Sequence, residues 1–129
     1  MKKTLLVFLS ILIISGVHAS TSKKLFVSFS MPELLLEQLA HESVELRVPL
    51  ILNGLHKGSM RETLEKIFKL TQKEKGVSFQ IDPTAYSKYG ITRVPALVID
   101  DGINFDVVRG NIRIKEMIAI IKEYGETNA

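Results

Sequence analysis

Residues 23–43 read KKLFVSFSMPELLLEQLAHES, a strand-like run followed by a turn and a helical pattern. Leu25–Phe29 are mainly apolar, which predicts a short buried strand. Ser30 and Glu33 then form an S-x-x-E capping box, which predicts a helix with Pro32 tolerated in its first turn. The first strand therefore leads directly into the N-terminus of the first helix.

The same alternation continues along the chain. Val48–Leu52 is a continuous apolar run, which predicts a strand covered on both faces. Ser59 and Glu62 form a second capping box, which predicts a helix to about Lys73. Residues at spacings of three and four predict the inward face of the first helix: Leu35, Leu36, Leu39, Ala40 and Ser43. In the second helix, one face carries Leu64, Ile67, Phe68 and Thr71.

Three further strands and a short helix are predicted in the second half. Val77–Ile81 alternate apolar and polar residues, as a half-buried strand does, and a short helix follows from Pro83. Ala96–Asp100 and Phe105–Arg109 are two strands of a hairpin, with Asp101 and a glycine in the turn.

The chain closes with one more helix. Asn111 is its predicted cap, Gly125 follows its end, and we expect the tail beyond to be frayed. The order strand, helix, strand, then hairpin and helix predicts an α/β, thioredoxin-like fold with a central mixed sheet flanked by helices. The segment from Ser59 to Ile81 is an inserted helix and strand.

The pair Val94–Pro95 stands between the short helix and the fourth strand, where thioredoxin-like folds carry a cis-proline, and we predict a cis bond. A proline placed so would turn the preceding backbone toward the N-terminus of the first helix. An extended peptide could then pair with free backbone groups. The predicted partner-binding groove consists of Ser30, Met31, Pro32, Arg93, Val94 and Pro95.

The chain contains no cysteine, so dithiol oxidoreduction is excluded. Ser30 and Glu33 occupy the positions of a C-x-x-C pair, and helix capping accounts for both. His41 and His56 have no spacing typical of a catalytic triad or a metal site. Asp100 and Asp101 are adjacent carboxylates at the start of the hairpin turn, and turn formation accounts for both. We therefore predict no enzymatic activity, no metal and no cofactor.

Residues 1–19 have a basic start, an apolar run and a small residue at Ala19, and they predict a signal peptide cleaved after Ala19. The mature chain, residues 20–129, is then one thioredoxin-like domain without a membrane span, which we expect in the periplasm. Removing Lys2 and Lys3 from 17 basic residues leaves 15 against 14 acidic ones, so no nucleic-acid partner is predicted.

Four stretches together closely resemble the TrbC family, the periplasmic assembly proteins of F-type conjugative pili. They are LFVSFSMPELLLEQLA (25–40), PLILNGLHKGSMRETLEKI (49–67), FQIDPTAYSKYGITRVPALVI (79–99) and VVRGNI (107–112). The resemblance covers roughly residues 25–121. It implies a thioredoxin-like fold without obligatory cysteines, work in pilus assembly and type IV secretion, a TraW-like partner and no reaction. Asn53 departs from the family, where a basic residue is expected.

Three functions are compatible with these residues. The first is a non-catalytic adaptor or chaperone that acts through the groove. The second is a structural subunit of the secretion channel that binds through its sheet edge or the inserted helix. The third is a periplasmic enzyme of non-thiol chemistry, for which only Glu33 and Arg93 offer ionisable groups near the groove.

Overall fold

The computed structural model describes residues 20–129, and the predicted signal peptide lies outside them. Five strands and four helices follow one another in the order that the sequence predicts. They are β1 (Ser22–Phe26), α1 (Glu33–Leu46), β2 (Leu50–Leu52), α2 (Met60–Lys73), β3 (Phe79–Ile81), α3 (Pro83–Lys88), β4 (Ala96–Asp100), β5 (Phe105–Arg109) and α4 (Ile114–Tyr124), with a 3₁₀ turn at His56–Gly58 before α2.

The strands form one mixed sheet in the order β3-β2-β1-β4-β5. β1 lies in the middle, parallel to β2 and antiparallel to β4. The inserted segment adds α2 and then β3, which pairs parallel with β2 at the edge of the sheet. The mixed sheet and the insertion predicted from the sequence are therefore confirmed.

Alternate residues of β1 point into two separate cores. Leu25 and Val27 belong to the larger core, with apolar residues of α1, α2 and α4, and Phe26 belongs to the smaller one, with Tyr86 of α3. Leu25, Phe26 and Val27, the last of which directly follows β1, are fully buried. Because successive side chains of a strand point to opposite faces, three helices cover one face of the sheet and α3 covers the other.

The predicted capping box at the start of the first helix is wrong. α1 begins at Glu33, its N-cap residue is Pro32, and no side chain caps it. The Ser30 hydroxyl instead lies 2.7 Å from the hydroxyl of Ser28, inside the turn that leaves β1. The second capping box is confirmed, because the Ser59 side chain accepts a hydrogen bond from the backbone N–H of Glu62.

The face of α2 that carries Leu64, Ile67, Phe68 and Thr71 is only partly buried. Thr63 and Leu70 are buried and Ile67 packs on the larger core, whereas Leu64 is 54 % and Phe68 is 62 % exposed. The apolar arc of α2 spans nearly half of its circumference, and the sheet and α1 cover only one side of that arc.

A carboxylate from another helix caps α4. The helix begins at Ile114, so the predicted cap Asn111 lies too early in the chain to act. Instead, the backbone N–H of Ile114 donates a 2.7 Å hydrogen bond to the Glu42 carboxylate of α1. Negative charge at a helix N-terminus is favourable, so this contact also fixes α4 against α1.

The C-terminal tail is held to β5, and the expectation that it frays is wrong. The Asp106 carboxylate accepts hydrogen bonds from the backbone N–H groups of Glu126 and Thr127, and Thr127 is buried. Gly125 makes this possible, because a Cβ there would lie 2.5 Å from the Ile121 carbonyl oxygen and 2.6 Å from the Asp106 carboxylate.

We predict that acid releases this tail. Burial alone would raise the pKa of Asp106, but the Thr127 hydroxyl and the backbone N–H groups of Thr127 and Glu126 lower it overall. The ionised form therefore stabilises the fold above the unfolded pKa of about 3.9, and this contribution is lost as the pH falls through the lower folded pKa. The Thr127 amide proton, followed by NMR from pH 6 downward, should lose the chemical shift that its hydrogen bond to Asp106 gives it. Asp106→Asn should remove that titration, and Glu123→Gln should not.

Candidate functional site

A groove of about 700 Å³ opens where β1 and β2 end. Three loops form its walls: the β1–α1 turn, the β2–α2 connection and the loop between α3 and β4. Its lining residues are Val27, Ser28, Phe29, Ser30, Leu52, Asn53, Gly54, Leu55, His56, Lys57, Tyr86, Ile91, Thr92 and Val94. Since β1 and β2 are parallel, their carboxyl ends lie at the same end of the sheet, and this brings the loops together.

The β1–α1 turn places the three residues predicted there in different surroundings. Ser30 lines the groove and is exposed. Met31 turns away from it, because its sulfur accepts a hydrogen bond from the Ser28 backbone N–H at 3.4 Å and its side chain packs on the larger core. Met31 instead lines a small cleft between α1 and α2. Pro32 is exposed and does not line the groove.

The loop before β4 supplies exposed backbone. The Val94–Pro95 peptide bond is cis. Thr92 and Val94 line the groove, Arg93 is exposed outside it, and Pro95 is buried. Within residues 20–129, the backbone N–H and C=O groups of Thr92, Arg93 and Val94 form no hydrogen bond to other backbone groups. These groups are therefore free to pair with an incoming chain.

The β2–α2 connection forms the wall of the groove that the sequence prediction missed. Asn53, Gly54 and Leu55 are exposed there, and Lys57 adopts a left-handed conformation at φ 51°. The glycines at both ends of this loop were the signal that could have located it. They mark an irregular connection directly after a buried strand, where a binding loop is common.

Tyr86 forms the floor of the groove. Its hydroxyl lies 2.7 Å from the Val27 carbonyl oxygen and 2.8 Å from the Ile51 carbonyl oxygen, so one proton is shared between the ends of β1 and β2. Its ring packs edge-on against Phe26, with centroids 4.8 Å apart. Burial raises the pKa of Tyr86 to about 12, so the hydroxyl stays protonated and holds the two strand ends together.

The groove itself has few ionisable side chains. Of the lining residues only His56, Lys57 and Tyr86 have ionisable side chains, and none is a carboxylate. The His56 ring stands edge-on to Phe29, 6.1 Å between centroids. Across the described residues, no three potential metal ligands cluster together. The arrangement offers hydrogen bonds and apolar contacts, which suit peptide binding better than proton transfer.

The other residues considered at the sequence level lie elsewhere. His41 contacts Glu74 and Glu45 on the outer surface of α1, and its hydrogen bond with Glu74 raises its pKa. Asp100 accepts hydrogen bonds from the Tyr89 hydroxyl and the Gly102 N–H, and the first of these chiefly lowers its pKa. Asp101 accepts backbone hydrogen bonds within the hairpin turn, as turn formation predicts.

Solved structures place this architecture in the thioredoxin-like class. The chain superposes on MTB dsbF with a TM-score of 0.55 and 19% identity, covering 81% of each chain. It superposes on an exposed lipoprotein thioredoxin of Streptococcus pneumoniae with a TM-score of 0.59 and 16% identity, covering 82% of this chain and 86% of the other. At such identities the likeness concerns the fold alone, and the predicted fold class is confirmed.

Sequence comparison then gives the family. Residues 25–125 match the TrbC model, described as the type-F conjugative transfer system pilin assembly protein, and the chain belongs to this family. It is also 35% identical over 101 residues to the periplasmic protein TrbC of Escherichia coli. The match covers 78% of this chain and 48% of that relative, so the chain spans about half the relative's length. No helix within residues 20–129 has the length and apolar character to cross a membrane.

The shared hydroxyl of Tyr86 generates a stability prediction. Tyr86→Phe keeps the ring packing but leaves the Val27 and Ile51 carbonyl groups without this donor, and it should lower the free energy of unfolding by about 1 kcal/mol. Urea unfolding followed by circular dichroism measures this change. Tyr124→Phe removes the hydroxyl of a 77 % exposed tyrosine and should have no measurable effect. Equal effects of the two substitutions would contradict the assigned role.

Proposed function

We propose that this chain is a non-catalytic assembly factor that works in the periplasm on an F-type conjugative pilus and its type IV secretion channel. Membership of the TrbC family and the periplasmic relative support this proposal. An adaptor or chaperone in this role holds a segment of another assembly protein while the complex is built.

The observation that carries the proposal is the unpaired backbone of Thr92, Arg93 and Val94 beside the groove. Extended peptides commonly bind by pairing with exposed main-chain groups of this kind. The groove also has apolar walls at Leu55 and Val94, which can receive side chains of the bound segment. The occupant that fits is therefore an extended stretch of a partner protein.

The chemistry of the groove favours binding over catalysis. The chain lacks cysteine. The Ser30 hydroxyl is hydrogen-bonded to the Ser28 hydroxyl and not to a histidine. His56 and Tyr86 are the groove residues whose side chains could act as acid or base. The His56 ring contacts Phe29, and the Tyr86 hydroxyl contacts two carbonyl oxygens. A general acid or base must itself lie within hydrogen-bond reach of the substrate. The groove lining supplies no carboxylate for that role.

The partner we propose is a TraW-like assembly protein, as the family resemblance implies. Ser30 and Thr92 both line the groove, and both are exposed. Met31, which the sequence predicted in the groove, is a poor site for a test, because its side chain packs on the core and a charge there would destabilise the fold.

We predict that Ser30→Arg combined with Thr92→Arg fills the groove and weakens binding of the TraW-like partner at least tenfold. The two added side chains occupy the space of the segment and bring two positive charges into it. Isothermal titration of the chain with that partner measures the affinity, and circular dichroism checks that the variant is folded.

The matched control is Thr84→Arg combined with Ser87→Arg, which makes the same exchanges at exposed positions of α3. This control should bind as the unmodified chain does. Undiminished binding by the groove variant would rule out the groove as the working surface. It would favour the second candidate, a structural subunit that binds through its sheet edge or inserted helix, for which the exposed side of α2 is the supporting observation.

A further inference from the structure

A row of large apolar side chains on α2 has no covering element among the described residues. Met60, Leu64 and Phe68 are spaced four residues apart and are 52 %, 54 % and 62 % exposed. Residues four apart lie on one side of a helix, so the three form a continuous stripe. An exposed apolar stripe of this size on a folded domain marks an interaction surface more often than chance.

The stripe faces away from α1. Lys66 and Leu70 line the cleft that α2 forms with α1, and Lys73 forms an ion pair with Glu37 of α1. At 100° per residue, Leu64 lies about 160° around the helix from Lys66, and Phe68 lies about 140° from Lys73. Because β3 is on the far side of β2 from β1, the stripe lies toward the open edge of β3.

β3 presents unpaired backbone at that edge. Its ladder with β2 includes bonds from the Leu50 N–H to the Ser78 carbonyl and from the Asp82 N–H to the Leu52 carbonyl. The two-residue period of a strand then directs the polar backbone groups of Gln80 toward β2, and those of Phe79 and Ile81 outward. β3 pairs with no other described strand, so these outward groups are available.

The side chain of Ile81 joins the edge to the stripe. Ile81 lies in register with Leu52, whose side chain belongs to the larger core, so both side chains are on the face of the sheet that α2 covers. Ile81 is nevertheless 41 % exposed. We call the surface made by the α2 stripe, Ile81 and the outward backbone of β3 the edge shelf.

Two basic side chains flank the edge shelf. Lys66, Lys69 and Lys73 line the cleft on the α1 side of α2 and do not belong to this surface. Arg61 and Lys73 have carboxylate partners, but among the described residues Lys57 and Lys75, at the two ends of α2, have none within 4 Å. Two copies would bring like charge together here, so an acidic partner is favoured over self-association.

We propose that the edge shelf binds an extended, acidic segment of a partner protein as a sixth strand of the sheet. The segment pairs with the outward backbone of Phe79 and Ile81, and its alternate apolar side chains pack against Leu64 and Phe68. Its acidic residues lie near Lys57 and Lys75. Apart from Lys57, which also lines the groove, the residues of this interface lie outside the groove.

The first experiment replaces Phe68 with the photo-cross-linker p-benzoylphenylalanine in the full chain, in cells that carry its own transfer system. The expected product is an adduct with a different protein, joined at an acidic stretch with alternating apolar residues. Ile103, which is 87 % exposed in the hairpin turn, carries the cross-linker in the control and should not give this adduct. An adduct of two copies of the chain, a phospholipid adduct or no adduct would each overturn the proposal.

The second experiment uses a synthetic peptide of the cross-linked stretch and measures hydrogen exchange by NMR. Strand addition should slow exchange of the outward Phe79 and Ile81 amides at least tenfold and leave the inward Gln80 amide unchanged. Leu64→Ser with Phe68→Ser should weaken peptide binding at least tenfold. Ile103→Ser with Tyr124→Ser removes two exposed apolar side chains elsewhere and should not. Unchanged exchange at Phe79 and Ile81 would refute strand addition, whatever the groove variants do.

Discussion

The burial of β1 on both faces is the constraint on which the rest of the structure depends. Leu25, Phe26 and Val27 are completely buried, and they alternate between a core under three helices and a core under α3. A central strand of this kind needs hydrogen-bonded neighbours on both sides, because its backbone groups are cut off from water. β2 and β4 supply them, one parallel and one antiparallel, and this mixture brings the loops of the groove to the end of β1.

The groove follows from how β1 and β2 end. The Tyr86 hydroxyl lies within hydrogen-bond distance of the Val27 and Ile51 carbonyl oxygens, and the Ile51 carbonyl also accepts a hydrogen bond from the Val27 N–H. A surface that carries redox thiols in many thioredoxin-like proteins is kept here with serine hydroxyls, a neutral to basic lining and free backbone. Such a surface retains hydrogen-bonding groups without thiols, and its use in pilus assembly is our proposal.

The inserted α2 and β3 give the domain a second exposed surface. Extending the sheet beyond β2 creates a new edge, and α2 is too apolar around its circumference to be covered by its own domain. At the opposite edge, the tail bonded to Asp106 lies beside β5. Our proposal of strand addition at β3 rests on its outward backbone and on the exposed side of α2.

The sequence by itself determined the order of the elements, the two-sided burial of Val48–Leu52, the Ser59 cap and the class of fold, because periodicity and capping act over a few residues. Only the tertiary structure decided which side of α2 is buried, that Met31 leaves the groove, and that Asn53 to Lys57 form its third wall. It also decided that Glu42 caps a helix 72 residues further along the chain. Such contacts depend on which surfaces meet when the sheet is complete, and local sequence does not encode that.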